Sequence, residues 1–348
     1  MNNKIAVGMS GGVDSCVAAY LLKKKGWDVV GFTLKFYTDK NRCCDLDSLY
    51  QAQRLCHELK IPHYVLDVGD MFKKKIINYF IESYLKGFTP NPCVYCNRLV
   101  KFGIFLEKIK SLGIDKLATG HYVSLITDGD INYLKANKDN IKSQEYFLSL
   151  IKPEVLKYLI FPLSDYNKTQ VKEIAKNKRI MFMIRKESQD VCFVKDKNYS
   201  KFIEENVYDY SKYSGEIKYI DGNVLGKHKG IYNYTYGQRG GLGVSWKTPL
   251  YVTNIDSDTN SIIVGEKDSL LRNKFYVNGL NWFLPPKKYK NIKVRIRYNS
   301  FLIGCGLQFM GDRVLVTLDE KTDKLSPGQI AAFYYKDILL GGGVIEKE

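Results

Sequence analysis

The chain has 348 residues, of which 45% are hydrophobic, and its 53 basic and 37 acidic side chains leave a net charge of +16. That length suits two or three domains with sizeable cores. No run of 18 or more apolar residues occurs, which argues against a membrane-spanning helix, and the opening MNNKIAVGMSGG lacks the basic region, apolar stretch and cleavage site of a secretory leader. A cytoplasmic protein with no membrane partner is expected. The basic excess is spread out rather than gathered in a tail. It points to a polyanion bound by a folded surface, not to a polybasic membrane anchor.

Residues 4–8, KIAVG, predict a short buried strand. VDSCVAAYLLKKKG (13–26) predicts a helix, with Val13, Val17, Tyr20 and Leu21 at helical spacing and Gly26 placed to end it. DVVGFTL (28–34) reads as a strand, 48–60 as a helix and HYVLDV (63–68) as a strand. The helices MFKKKIINYFIESYLKG and NRLVKFGIFLEKIKSLG flank a Pro-rich turn, and DKLATG (115–120) is a fourth strand. This alternation predicts a parallel sheet with helices on both faces and a ligand site at the carboxyl ends of its strands. After about residue 200 the pattern changes. KFIEENV reads as a last helix; then GEIKYI, LYVTNID, SIIVGE, VLVTLDE and AAFYY alternate with turns such as DGN and SDTN. The expected organisation is a catalytic α/β domain over 1–204, a small β-rich domain over 205–272 and a β-barrel over 273–348.

MSGGVDS (9–15) follows the first strand and opens the first helix. Its glycines let the backbone turn its N–H groups toward an anion, and the helix N-terminus adds positive potential. Ser10 and Ser15 offer hydroxyls to phosphate. Asp14 would repel phosphate, so its expected task is to hold the loop or to reach Mg²⁺. The lysine of GxxxxGK[ST] is missing, and GxGxxG does not fit. The loop resembles the SGGxDS pyrophosphate loop of enzymes that split ATP into AMP and pyrophosphate.

Eight cysteines occur, at 16, 43, 44, 56, 93, 96, 192 and 305. Structural disulfides are not expected in a cytosolic chain. Cys16, Cys56 and Cys305 lie among apolar residues and are expected in cores. NPCVYCN (91–97) holds Cys93 and Cys96, but no second CxxC completes a zinc site, and the pair follows a Pro turn rather than the strand of a thioredoxin-like motif. Cys96 is expected at the start of a helix, where its pKa would be lowered, with Lys101 nearby. Two thiols, Cys96 and the distant Cys192, together with an ATP-activated carbonyl suggest sulfur transfer through a persulfide and a disulfide.

The chain is similar to bacterial tRNA-specific 2-thiouridylases along essentially its whole length. The resemblance rests on GMSGGVDS (8–15), TPNPCVYCNRLVKFG (89–103), LATGHYV (117–123), SQEYFLS (143–149), ESQDVCFV (187–194), YTYGQRGGLGV (234–244), RYNS (297–300) and SPGQIAAFY (326–334). It implies a pyrophosphate-loop domain, a small central domain and a C-terminal β-barrel. It implies an enzyme that installs 2-thiouridine at the wobble position of tRNAs for Lys, Glu and Gln. ATP and Mg²⁺ would be used, with a cysteine desulfurase or relay protein as sulfur donor. Matching positions imply ATP contacts at Gly8, Met9, Ser10, Gly11, Gly12, Val13, Asp14, Ser15, Leu34 and Gly120, with Cys96 as nucleophile and Cys192 as persulfide carrier. Asn91, Pro92 and Cys93 would line the target base, flipped out of its stack. His121, Lys142, Ser143, Gln144, Arg297, Tyr298 and Gln329 would touch tRNA.

Cys93 departs from the family, many members of which carry Asp there, and Ser143 stands where Asp is common. Cys93, Cys96 and Cys192 make three thiols, enough for a [4Fe–4S] cluster with one open iron, which stands as the alternative chemistry. Other pyrophosphate-loop ligases, such as argininosuccinate or GMP synthetase, need no distant cysteine pair. A lysidine-forming enzyme suits the charge but not the thiols. An RNA-binding protein with a relic nucleotide domain is the non-enzymatic alternative.

Overall fold

A strand whose two faces are both covered must be apolar throughout, and IAV in the middle of β1 (Lys4–Gly8) is fully buried. The computed structural model describes residues 3–36, 46–137, 143–178, 191–194 and 198–347. The chain divides into two units. The first comprises Met1–Ile76, Cys93–Phe193 and Asp337–Leu340; the second comprises Ile77–Pro92, Val194–Lys336 and Gly341–Glu348.

In the first unit β1 is the centre of a parallel sheet. β2 (Asp28–Phe36) and β3 (His63–Val68) extend it on one side. β4 (Lys116–Ala118) lies on the other. β5 (Ser124–Asp128) and β6 (Ile131–Lys135) form an antiparallel hairpin, and β7 (Leu159–Ile160) completes the order β3-β2-β1-β4-β7. The chain moves outward from β1 to β3 and then returns to β4 on the far side. The crevice between the ends of β1 and β4 is therefore the switch point at which such sheets bind ligands.

Helix Val13–Lys24 ends at Lys25, and Gly26 follows in the left-handed region at φ +84, its N–H bonded to the Lys23 carbonyl at 3.0 Å. Cys16 on this helix and Cys56 on helix Leu46–Glu58 are fully buried in the same core, and burial pushes both thiols up to about 12. Both are core residues, as expected. Cys305, on the strand Ile303–Met310, is only half-buried. The helix expected at 97 begins one turn earlier, at Pro92, a residue suited to a first turn. It continues to 111 through a π-helical stretch at Cys96–Ile104, and the 69–85 helix holds a second at Lys73–Ile77. π-helical turns recur at functional sites. The β5–β6 hairpin and helix Lys168–Asn177 are not among the elements expected from the sequence.

In the second unit β8 (Gly215–Tyr219), β9 (Val224–His228), β10 (Tyr251–Asp256) and β11 (Ser261–Gly265) make a sheet of order β10-β11-β8-β9 over Ile217, Val252, Ile255, Ile262 and Val264. β12 (Arg272–Trp282), β13 (Lys293–Arg295), β14 (Ile303–Met310), β15 (Arg313–Thr322), β16 (Ile330–Tyr335) and β17 (Ile338–Ile345) form a barrel. β12 pairs with both β15 and β17, so these six strands close on themselves. Glycine is required at 343, where a Cβ would lie 2.5 Å from Val277 Cγ1. The α/β domain, small β domain and barrel are those expected. Among the described residues no helix is long and apolar enough to cross a membrane.

Gly31 on β2 has no room to spare: a Cβ would lie 2.6 Å from Cys56 Sγ and 3.2 Å from Met9 Cγ. Gly31→Ala should destabilise the α/β unit by about 1–3 kcal/mol through overpacking. Thermal unfolding checks this, and an unchanged midpoint would show that the site can open without cost.

Candidate active site

The residues expected to contact ATP gather at the switch point. Gly8 ends β1, Leu34 lies buried on β2, and Gly120 follows β4. Met9 N–H donates to the Phe32 carbonyl at 2.7 Å, and its own carbonyl accepts from Thr33 Oγ1 at 2.9 Å, fixing the point where the strand becomes the loop. Gly11 turns the chain at φ +74. Gly12 caps the helix, and the buried Ser15 donates to its carbonyl at 2.9 Å while accepting from Ser10 N–H at 3.2 Å. Ser10 and Ser15 hydroxyls lie 3.3 Å apart. Val13 is buried beneath them. A Cβ at Gly120 would sit 2.7 Å from the Asp14 carbonyl carbon and 2.8 Å from Ser15 N, so glycine is what lets the β4 end approach the loop.

Asp14 is held by two side chains distant in sequence. Lys168 Nζ lies 2.8 Å from both carboxylate oxygens, and Tyr122 donates its hydroxyl to Oδ1 at 2.6 Å. The pair is mostly buried, with 15% of the Lys168 side chain and 27% of Asp14 exposed. Lys168 opens helix Lys168–Asn177, behind an Asn167 cap whose side chain accepts from Gln170 N–H. A cation in the first turn opposes the helix dipole, and the Asp14 carboxylate offsets this. Neither Lys168 nor Tyr122 has a role expected from the sequence; a lysine at a helix start, out of place for its dipole, is the one local signal. They place a cation against a loop whose sequence carries no lysine of its own.

The thiols are set by three contacts within the first unit. Phe105, on the 92–111 helix, lies 3.5 Å from a Cβ built at Gly8 and packs edge-on against Phe32 at 5.8 Å. This brings the Cys96 helix to the carboxyl end of the sheet. Asn97 is buried and donates to the Phe147 carbonyl at 3.1 Å. Beside Cys192, Phe193 packs edge-on against Phe72 at 5.8 Å, and Phe72 meets Phe36 at 4.6 Å. Cys93 and Cys96 are half-buried and Cys192 is exposed.

Burial pushes Cys93 up to about 11 and Cys96 up to about 12; Cys192 acts on both in the same direction and Lys101 opposes it. Cys93, Cys96 and Cys192 are therefore electrostatic neighbours. The lowered Cys96 pKa expected from a helix start is not found. The helix starts at Pro92, and loss of solvent around the sulfur outweighs the Lys101 cation. Among the described residues no three His, Cys, Asp or Glu side chains form a group that could hold a metal ion.

His121 belongs to the same neighbourhood. Its Nδ1 is 2.7 Å from Thr119 Oγ1, and its ring packs on Phe102 and Phe161 at 5.7 and 6.3 Å. Burial and then Lys101 push it well below the usual imidazole range, leaving it neutral at pH 7. Ser143 is only 2% exposed; it accepts from Asn137 N–H at 2.8 Å and donates to Glu145, which commits its hydroxyl to the interior. Gln144 Oε1 accepts from Tyr122 N–H at 3.0 Å. Lys142, Cys43, Cys44 and residues 187–190 lie outside the described residues.

In the second unit Asn91 is half-buried and Pro92 buried. Arg297 and Ser300 close a turn with a 2.9 Å backbone bond, and Tyr298 lies within it. Gln329 donates to the Thr89 carbonyl at 3.0 Å.

Three family models match in succession: a tRNA methyl transferase HUP domain over 3–196, a tRNA methyl transferase PRC-barrel domain over 200–266 and an aminomethyltransferase beta-barrel domain over 272–345. The tRNA-specific 2-thiouridylase MnmA of Aquifex aeolicus is 42% identical, over 99% of this chain and 99% of its own. That of Persephonella marina is 42% identical over 98% and 99%, and that of Clostridium acetobutylicum 38% over 99% and 100%. A solved 4-thiouridine synthetase–RNA complex with bound ATP aligns at 18% identity over 59% of this chain and 50% of its own, with a TM-score of 0.37, too low to carry an argument. The full-length relatives carry the assignment: the chain belongs to the tRNA-specific 2-thiouridylase family.

Proposed function

We infer that this chain uses ATP to adenylate a uridine of tRNA and then replaces the activated oxygen by sulfur, giving 2-thiouridine, AMP and pyrophosphate. The observation that carries this is the meeting, at one end of one sheet, of a phosphate-shaped loop with a distant cation and a helix bearing neighbouring thiols. The family name of the full-length relatives supports the substrate and the product. The target is the wobble uridine of tRNAs for Lys, Glu and Gln. The setting is cytoplasmic. Matches over 3–196, 200–266 and 272–345 support three domains at 1–204, 205–272 and 273–348.

The loop from Gly8 to Ser15, with Leu34 and Gly120, holds ATP and its Mg²⁺. Lys168 compensates the Asp14 carboxylate and offers its ammonium to the departing pyrophosphate. Uracil O2 attacks the α-phosphorus, pyrophosphate leaves, and C2 now carries AMP as its leaving group. Cys192, exposed to a desulfurase or relay protein, receives sulfane sulfur as a persulfide. Its terminal sulfur attacks C2 and expels AMP. Cys96 then attacks the Cys192 sulfur, frees the thiocarbonyl and closes a Cys96–Cys192 disulfide, which an external dithiol reduces. Alternatively Cys96 attacks the persulfide first and the released hydrosulfide adds to C2. Asn91, Pro92 and Cys93 line the flipped base; His121, Lys142, Gln144, Arg297, Tyr298 and Gln329 contact tRNA, and Ser143 acts from the interior by bracing Glu145.

Nucleoside mass spectrometry of unmodified glutamate tRNA, incubated with the protein, ATP, Mg²⁺ and either a persulfide donor or free sulfide, tests the reading. Wild type should form 2-thiouridine in both arms with one AMP per thiolation. Cys192→Ser should fail with the persulfide donor and recover with sulfide, which needs no carrier. AMP release without tRNA thiolation in either arm would refute the assignment.

The raised thiols give a pH test. A higher pKa means less thiolate at a given pH: with a pKa of about 12, Cys96 is on the order of one part in 10⁵ ionised at pH 7. Iodoacetamide labelling of Cys96 in the free enzyme, read peptide by peptide, should climb about tenfold per pH unit from 7 to 9. Lys101→Ala should slow it further at each pH. Levelling near pH 8.5 would contradict the desolvated thiol.

A further inference from the structure

The second unit carries a pocket that the reaction above leaves unused. The segment 239–250 folds around a cavity of about 450 Å³, lined by Arg239, Leu242, Trp246 and Lys247 among others. Its floor is anchored. Leu242 and Leu250 are buried in the core with Val252, and the foot of the loop is bonded to β10 through Gly237 N–H to Val252 O at 2.9 Å and Val252 N–H to Gln238 O at 3.0 Å. Gly241 and Gly243 give the loop its path, at φ +75 and +66. The rim is exposed and basic: Arg239, Trp246 and Lys247 face solvent, and no acidic residue lines the cavity.

Trp246 is the unusual member. An indole that is 37% exposed on a loop would ordinarily move, but this one stacks on Tyr219 at the end of β8, with centroids 4.7 Å apart and planes 26° from parallel. A held aromatic and two cations lining one cavity the size of a small ligand are the groups that hold an unpaired nucleotide: a ring to stack on and charge for the phosphate. The foot of this loop also meets a residue of the proposed tRNA face. Arg297 Nη2 approaches the Tyr236 carbonyl at the loop's foot, at 3.5 Å. Arg297 and Tyr298 are residues assigned to tRNA under the proposed function, so the pocket continues that face.

We propose that the 239–250 pocket binds an unpaired nucleotide of the tRNA substrate, its base stacked on Trp246 and its phosphate paired with Arg239 and Lys247. The proposal rests on the chain being a tRNA-thiolating enzyme. The same chemistry would hold a free nucleotide, so the test carries both arms.

Filter binding of unmodified glutamate tRNA to the full-length protein, over a range of salt, measures the effect. Trp246→Ala should weaken tRNA binding about tenfold, and Trp246→Phe, which keeps an aromatic face, should recover most of it. Arg239→Ala with Lys247→Ala should lower the slope of log K against log salt by up to about two. ATP binding to the loop around Asp14 should be unchanged in all three. Trp246→Ala and the double variant both binding tRNA like wild type would overturn the proposal, as would ATP or AMP protecting the pocket while tRNA affinity stays fixed. If those variants are wild-type in affinity and wild-type enzyme still makes 2-thiouridine, only the pocket falls. If wild type makes none, the reading beneath it falls as well.

Discussion

The carboxylate of Asp14 stands in a loop proposed to receive a triphosphate, and the contacts at the sheet end answer that conflict. Left alone, the carboxylate would repel the ligand across a few ångströms of poorly solvated space. Lys168 covers both of its oxygens and Tyr122 bonds one of them. The loop therefore presents its glycines and serines without net negative charge. The tie also joins the first helix, the β4 exit and helix Lys168–Asn177, three segments that share no local sequence, so the loop shape is a property of the folded unit. Gly120 completes the arrangement, because any larger residue would push the β4 end off the loop.

The sulfur chemistry meets the opposite problem. A nucleophilic thiol needs its thiolate, yet Cys93 and Cys96 are held up by burial. A buried thiol is inert toward stray oxidants and electrophiles. It becomes useful when a persulfide beside it offers a good leaving group, or when the substrate and its charges enter the site. Lys101 already pulls in the productive direction on both thiols and on His121. Cys192 is exposed where Cys93 and Cys96 are half-buried, which suits the carrier role proposed for it.

Much of this was legible in the sequence because it is local. Strand and helix periods, the glycine pair after the first strand and the Cys-rich turn all act over a few residues, and the parallel sheet and the loop stand where those signals place them. What could not be read depends on distance. Lys168 acts on a residue 154 positions away. The hairpin β5–β6 is built from SLITD and INYLK, whose mixed polarity gives no clear period. Ser143 looks like a surface polar residue and is instead bonded inside. The Cys96 pKa follows from how many atoms surround the sulfur, a quantity no helix-start rule contains.

The central claim is that uracil O2 becomes the leaving oxygen of AMP. A synthetic anticodon stem-loop carrying ¹⁸O at O2 of the wobble uridine, thiolated in unlabelled water, tests it directly by mass spectrometry of the released AMP. The account predicts one ¹⁸O in the AMP phosphoryl group for each 2-thiouridine formed. Unlabelled AMP alongside 2-thiouridine would contradict adenylation at O2, and with it the role assigned to the loop around Asp14.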